Sequence, residues 1–303
     1  MVYSFNQNIS LYYDTYMFYL YLFIGPFDYI YHIAAYAAEG LSHFIRHYNY
    51  ENNLIGGINL INEAVKQKPI VKAFVFTSSI AAFGNSDGKP PFTELSPKRP
   101  EDPYGIAKMA FEQDLQAAYH MFGLHYIIFR PHNVYGPRQN IADKFRNAIG
   151  IFMNQILRNE NITIFGDGEQ KRAFSYISDV STIIGSSVLF YPAAYNNDFF
   201  VGSDTEYSVN SLAVEVIKAM NRTASITHLD SRKEVVDAFP VHNKLRCIFN
   251  PPTPVTLEEG LQITAKYVVK HGPFEPSGYT NIEVTDHLPP SWSQWLMKKT
   301  GDQ

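Results

Sequence analysis

A lone cysteine, Cys247, leaves the 303-residue chain without the means to form an intrachain disulfide or a cysteine-rich metal site. That absence favours a reducing, cytoplasmic setting. Charge is also scarce, with charged residues at 18% and a formal net charge of -4. No general basic field therefore exists to attract nucleic acid or an anionic membrane surface. A small anionic ligand stays open, because it needs only a few local arginines. Internal repeats and low-complexity linkers are missing too. What is plentiful is apolar surface: hydrophobic residues make up 46% of the chain, which at this length supports one large domain or two modest ones.

The first residues stand apart from the rest. Asp14 is the only charged residue from Met1 to Phe27, and Tyr12–Phe27 reads YYDTYMFYLYLFIGPF. A signal peptide would need a basic start and a small-residue cleavage site, both absent. A membrane-crossing helix needs ~20 apolar residues, more than this run supplies. Two readings stand. The alternation of Tyr, Phe and Leu suits a buried or edge strand; equally, the composition is what AT-rich non-coding sequence encodes, which implies a misplaced start.

From Phe27 a regular pattern begins. Phe27–Ala35 reads as a buried strand, and Asn49–Gln67, with Leu54, Ile58, Ile61 and Val65, as an amphipathic helix. Val71–Ser79 is a second strand. A polar loop then ends at Asp102-Pro103, a cap followed by proline at the first helical position, so a helix is predicted from Tyr104 to Phe122, ended by Gly123. His125–Pro131 is the next strand. Alternation of this kind implies an α/β fold with a parallel sheet covered on both faces. Further along, helices are expected over Ile149–Arg158, Asp179–Phe190, Ser208–Asn221 and Thr256–His271, with a strand at Ile162–Gly166.

Tyr104 and Lys108 lie one helical turn apart on one face. A phenol titrates near ~10 and is a poor base at neutral pH. A neighbouring cation favours the phenolate, so the pair suits proton transfer. Such a pair is common by chance, and Ser79 taken alone reads as a turn residue. Their positions add meaning. Ser79 ends a strand and the Tyr/Lys pair opens the following helix, so all three lie at the rim where parallel sheets bind ligands. His43 and His47 share a possible helical face, but two histidines without a third ligand are weak grounds for a metal, and none is assigned. His132, beside Asn133, reads more readily as structural than as a ligand.

VFTSSIAAFG (Val75–Gly84), EDPYGIAK (Glu101–Lys108), FRPHNVYGPRQN (Phe129–Asn140) and FGDGEQKRAFSYISDV (Phe165–Val180) look like successive motifs of the extended short-chain dehydrogenase family. Within it they most resemble NAD-dependent nucleotide-sugar epimerases of the UDP-glucose 4-epimerase type. HIAAY (His32–Tyr36) and YENNLIG (Tyr50–Gly56) look like the segments beside the nicotinamide. The resemblance implies an incomplete doubly wound, Rossmann-like sheet over 27–140 and a smaller, mainly C-terminal substrate domain over 141–303, some of whose segments return to the sheet. It implies Ser79, Tyr104 and Lys108 as the catalytic set. Ala34, Ala35, Asn53 and Pro131, with Tyr104 and Lys108, would contact NAD, Lys108 also keeping the tyrosine acidic. Ser79, Asn133, Arg172 and Arg232 would hold a UDP-sugar. Guanidinium groups suit pyrophosphate, being permanently charged and bidentate. A homodimer through helices Asn49–Gln67 and Tyr104–Phe122 is implied as well. Dehydratases of this family place an Asp-Glu pair after the serine; Ile80-Ala81 stands there instead, which disfavours that chemistry. Glucose, glucuronate and N-acetylhexosamine substrates stay open, as does a role in sugar binding without catalysis.

The family's Gly-rich turn, G-x-x-G-x-x-G, occurs nowhere in the chain. Relatives have two βαβ units before HIAA, each about 30 residues. Only 26 unrelated residues precede Phe27 here, so residues 1–26 are expected to stand in place of the Gly-rich half and to leave Phe27–Ala35 as an unpaired edge.

Overall fold

The computed structural model describes residues 26–84, 90–231, 237–275 and 282–292. β1 (Tyr29–His32) leads through the short helices α1 (Glu39–Ser42) and α2 (Arg46–Tyr50), across a π-helical turn at Glu51–Ile55, into α3 (Gly56–Lys66). β2 (Ala73–Thr77), α4 (Pro103–Phe122) and β3 (Tyr126–Pro131) follow. Beyond them run β4 (Val134–Tyr135), α5 (Ala148–Leu157), β5 (Ile162–Phe165), β6 (Lys171–Ala173), β7 (Ser175–Tyr176) and α6 (Ile177–Ser186). The order closes with β8 (Asn197–Val201), β9 (Glu206–Ser208), α7 (Val209–Met220), β10 (Ile226–Leu229), α8 (Asn243–Phe249) and α9 (Leu257–His271).

The main sheet runs β1-β2-β3-β8 with every neighbouring pair parallel. Its alternating side chains face two separate cores. Phe74, Phe76 and Ile128 pack with Ile61 of α3 and Phe111 and Leu115 of α4. Val75, Ile127 and Phe129 face Val180 and Ile184 of α6 and Leu245 and Phe249 of α8. Both faces are thus covered, and that is why β2 and β3 read as nearly continuous apolar runs. A third core, built from α5, β5, α7, β10 and α9, forms the smaller unit around Ile149, Met153, Val216 and Leu261. β8 lies beyond residue 140 yet pairs with β3 in the main sheet.

Local signals account for α4. Asp102 caps it by accepting a 2.9 Å hydrogen bond from the Gly105 amide, Pro103 opens it, and Gly123 ends it in the left-handed region at φ 76°. Two segments differ from the pattern-based expectation. The first strand has four residues rather than Phe27–Ala35, because the chain leaves the sheet after His32. The next helix starts at Arg46 and carries the π-helical turn. That turn directs Asn53 at the Tyr36 backbone, where it accepts from the amide at 2.8 Å and donates to the carbonyl at 3.1 Å. Helices α1 and α8 have weak periodicity and were not foreseen. Among the described residues β1 ends the sheet, with Tyr29 and Ile33 exposed. The strand reading of Tyr12–Phe27 falls almost wholly on residues outside the described ones. No described helix is long and apolar enough to cross a membrane.

Helix α3 approaches α4 closely at Gly57, where a β-carbon would lie 2.4 Å from Phe111 Cε2 and 2.9 Å from His32 Nε2. Gly57→Ala is therefore expected to overpack this contact and destabilise the fold by about 1–3 kcal/mol. Urea unfolding of the two proteins checks this.

Candidate active site

A cleft of about 730 Å³ opens at the carboxyl ends of the parallel strands, lined by Ile33, Ala35, Thr77, Ser79, Tyr104, Lys108, Pro131 and Asn133. Its far wall comes from the smaller unit and includes Phe165 and Arg172. Ser79 follows β2 and caps a 3-10 turn at Ile80–Ala82, its hydroxyl accepting from the Ala81 amide at 3.1 Å. The same hydroxyl faces the Tyr104 phenol and favours its ionised form. Lys108 donates from Nζ to the Thr77 carbonyl at 2.8 Å and lies 4.7 Å from the Phe76 ring centroid and 5.7 Å from that of Tyr104. Strand end, turn and helix start thus bring the three residues together.

Electrostatics in this cleft differ from the sequence-based expectation. Burial pushes the Tyr104 phenol well above its ordinary value, reinforced by the Glu39 carboxylate. The Ser79 hydroxyl and the Arg146 guanidinium act the other way. Lys108 itself is lowered to about 7 by burial, with Glu112 acting the other way. Both groups are desolvated, and the Lys108 amine is turned toward the Thr77 carbonyl.

Asn133 reaches the cleft at a left-handed φ of 40° and donates from Nδ2 to the Ala173 carbonyl at 3.0 Å. Arg172 projects from β6 on the facing wall and donates to the Lys171 carbonyl at 2.9 Å. Arg232 lies outside the described residues. Ala35 and Pro131 line the cleft, whereas Ala34 and Asn53 do not; Asn53 sits behind it, holding the Tyr36 backbone. His132 bonds the Ser203 carbonyl at 2.9 Å and stacks on His242 at 5.2 Å, and burial drives its imidazole down to about 3. His47 pairs with Glu51 rather than with His43. Among the described residues no group of three or more His, Cys, Asp or Glu is placed to hold a metal ion.

Sequence reasoning missed two features. Arg146 enters the cleft from the loop before α5, its Nε held by Asp143 at 2.8 Å and its guanidinium over the Tyr36 ring at 5.1 Å. No motif marked it. Beneath Ser79 lies a buried ion cluster. Glu112 accepts from Ser78 at 2.5 Å, from Arg130 at 2.8 and 2.7 Å and from Lys98 at 2.5 Å, and Arg130 also pairs with Asp198. The recurrence of Tyr104, Lys108 and Glu112 every four residues was the available signal.

The sequence pattern of the NAD dependent epimerase/dehydratase family matches residues 22–187, more than half of the chain. The chain belongs to this family. A Methanocaldococcus jannaschii protein provisionally named UDP-glucose 4-epimerase is 32% identical over 171 residues, 56% of this chain and 53% of that protein. A dTDP-D-glucose 4,6-dehydratase of Mus musculus is 30% identical over 224 residues, 74% of this chain and 60% of that enzyme. The chain thus matches between about half and two thirds of these relatives' length. Among solved structures, a UDP-glucose 4-epimerase of Thermotoga maritima with UDP-glucose superposes with a TM-score of 0.74 at 30% identity, covering 80% of this chain and 77% of that one.

The described residues fit one end of the dinucleotide that names the family. Thr77 Oγ1 is buried without a partner at the end of β2, and the Lys108 ammonium lies beside the Thr77 carbonyl. Both suit a ribose and a carboxamide at the nicotinamide end. For the diphosphate the chain contains no Gly-rich turn.

Burial of Lys108 carries a pH signature. Between about 7 and the ordinary lysine value the unfolded chain binds a proton that the folded chain does not, so stability rises with pH across that window. Lys108→Met is expected to flatten this rise and to stabilise the protein at and below neutral pH. Urea midpoints for both proteins across pH 6 to 10, a window set by the ordinary range near ~10.4, check the direction.

Proposed function

We propose that this chain carries the proton-handling and sugar-binding part of a nucleotide-sugar 4-epimerase of the UDP-glucose type, acting with NAD. The supporting observation is the convergence of Ser79, Tyr104 and the buried Lys108 on one cleft at the strand ends. NAD, when bound, supplies the acceptor for the hydride on sugar carbon 4 and returns it to the opposite face. Tyr104 takes the proton of the 4-hydroxyl and later gives it back. Its elevated proton affinity suits the return step; loss of the proton is favoured by the Ser79 hydroxyl and the Arg146 charge. Ser79 orients the reacting oxygen. Lys108 would hold the nicotinamide ribose, with Thr77 Oγ1 available beside it. Asn133 and Arg172 would hold the sugar and the pyrophosphate, with Arg232 as a further partner.

Epimerisation is favoured over elimination of water. Ile80 and Ala81, directly after Ser79, are apolar and buried, so that turn offers neither the acid nor the base that elimination requires. The same reading extends to two copies pairing through α3 and α4, where Ile55 and Ile106 expose apolar surface. Light scattering should then give about twice the chain mass of 34.5 kDa.

A second reading is sugar binding without turnover, supported by the lack of a G-x-x-G-x-x-G turn in the sequence. Purified chain incubated with NAD and UDP-glucose should form UDP-galactose. Tyr104→Phe should lower that rate by about 10²–10⁴-fold, and Arg172→Met should weaken UDP-glucose binding by roughly tenfold or more. UDP-glucose binding with no NAD retained and no product would select the second reading. No UDP-sugar binding at all would overturn both.

A further inference from the structure

Glu112 has no part in the chemistry assigned above, yet it is fully buried and four charged or hydroxyl contacts converge on it. It follows Lys108 by one helical turn, as Lys108 follows Tyr104, so the three side chains project from one face of α4 toward the end of β2. Lys108 bonds the Thr77 carbonyl, and Glu112 bonds the Ser78 hydroxyl at 2.5 Å. The two residues immediately before Ser79 are thus each clamped by α4. Arg130 enters from β3 with its guanidinium fork flat against the Glu112 carboxylate, and Lys98 closes the remaining side.

We propose that Glu112 is a positioning residue for the reaction, anchoring the Ser78–Ser79 turn and setting a buried negative charge one helical turn from the Lys108 amine. Charge balance supports the role. Lys98 and Arg130 pair with Glu112, and Arg130 and Lys244 pair with Asp198, so three cations share two carboxylates. Of the two, only Glu112 is fully buried and only Glu112 acts on Lys108. The other titratable groups facing Lys108 are Tyr104 on its own helix and His32 from β1, whose imidazole is held neutral by burial and by the lysine charge itself. Neither replaces a carboxylate. A merely structural polar cluster needs no net charge on Glu112, whereas a counter-ion does.

The inference rests on the role proposed for Lys108, but its test does not need turnover. In full-length chain labelled with 13C-lysine, the Cε resonance of Lys108 is assigned by its loss in Lys108→Met and followed through a pH titration. In Glu112→Gln, which keeps the size but removes the charge and turns one acceptor oxygen into a donor amide, the midpoint is expected to fall by at least one pH unit, a tenfold change in the protonated ratio. Near-UV circular dichroism and a cooperative melt establish that the variant is folded. If Glu112→Gln does not fold, the paired variant Glu112→Gln/Arg130→Met removes opposite charges together, and the midpoint is expected to fall by less, because the Arg130 repulsion is lost with the Glu112 attraction. An unchanged midpoint in either folded variant overturns the proposal. Failure of the epimerase reading would look different: the lysine titration would shift as stated, with no product formed by any variant.

Discussion

The fork between Arg130 and Glu112 is the contact on which the site depends. It joins the middle of the sheet to the long helix, with both partners wholly buried. Leaving either charge unpaired there would cost about 3–5 kcal/mol. Because the carboxylate also takes the Ser78 hydroxyl and the guanidinium also pairs with Asp198, one cluster sets the relative positions of β2, α4, β3 and β8. Phe83 and Phe200 flank the guanidinium at 5.1 and 5.7 Å and help shield it from water. The rim of the cleft is thus built on a polar clamp set between two apolar cores.

Burial then decides the chemistry of the side chains at that rim. Tyr104 is pushed toward its protonated form and Lys108 toward its neutral one, in both cases because a charge there has lost its water. The compensating groups come from three different parts of the chain: Ser79 from a strand end, Arg146 from a loop and Glu112 from deeper in the helix. The protonated phenol is thus the favoured state, with Ser79 and Arg146 acting against it.

Much of this was legible in the residues. The cap at Asp102-Pro103 and the stop at Gly123 located α4 closely, because capping is a local matter of orphan amides and a left-handed residue. The apolar runs at Val71–Ser79 and His125–Pro131 marked the central strands, which are covered on both faces. Where the reading slipped, non-local contacts were responsible. The first strand stops at His32 and the following helix takes a π-helical turn because Asn53 binds a loop that no periodicity describes. Asn53 itself proved to be a backbone anchor behind the cleft rather than part of its wall.

By itself, the sequence determined the alternation of strands and helices, the family, and the placing of Ser79, Tyr104 and Lys108 at one rim. Those follow from periodicities, caps and short motifs, which act over a few residues. Only the tertiary structure decided what surrounds them. It showed that Lys108 points at the Thr77 carbonyl, that Arg146 and Ser79 are the groups favouring the phenolate, and that Glu112 underlies the serine turn. The physical reason is desolvation: proton affinity in the cleft depends on which charges are sealed from water together, and residues separated by tens of positions meet there only once the sheet has formed.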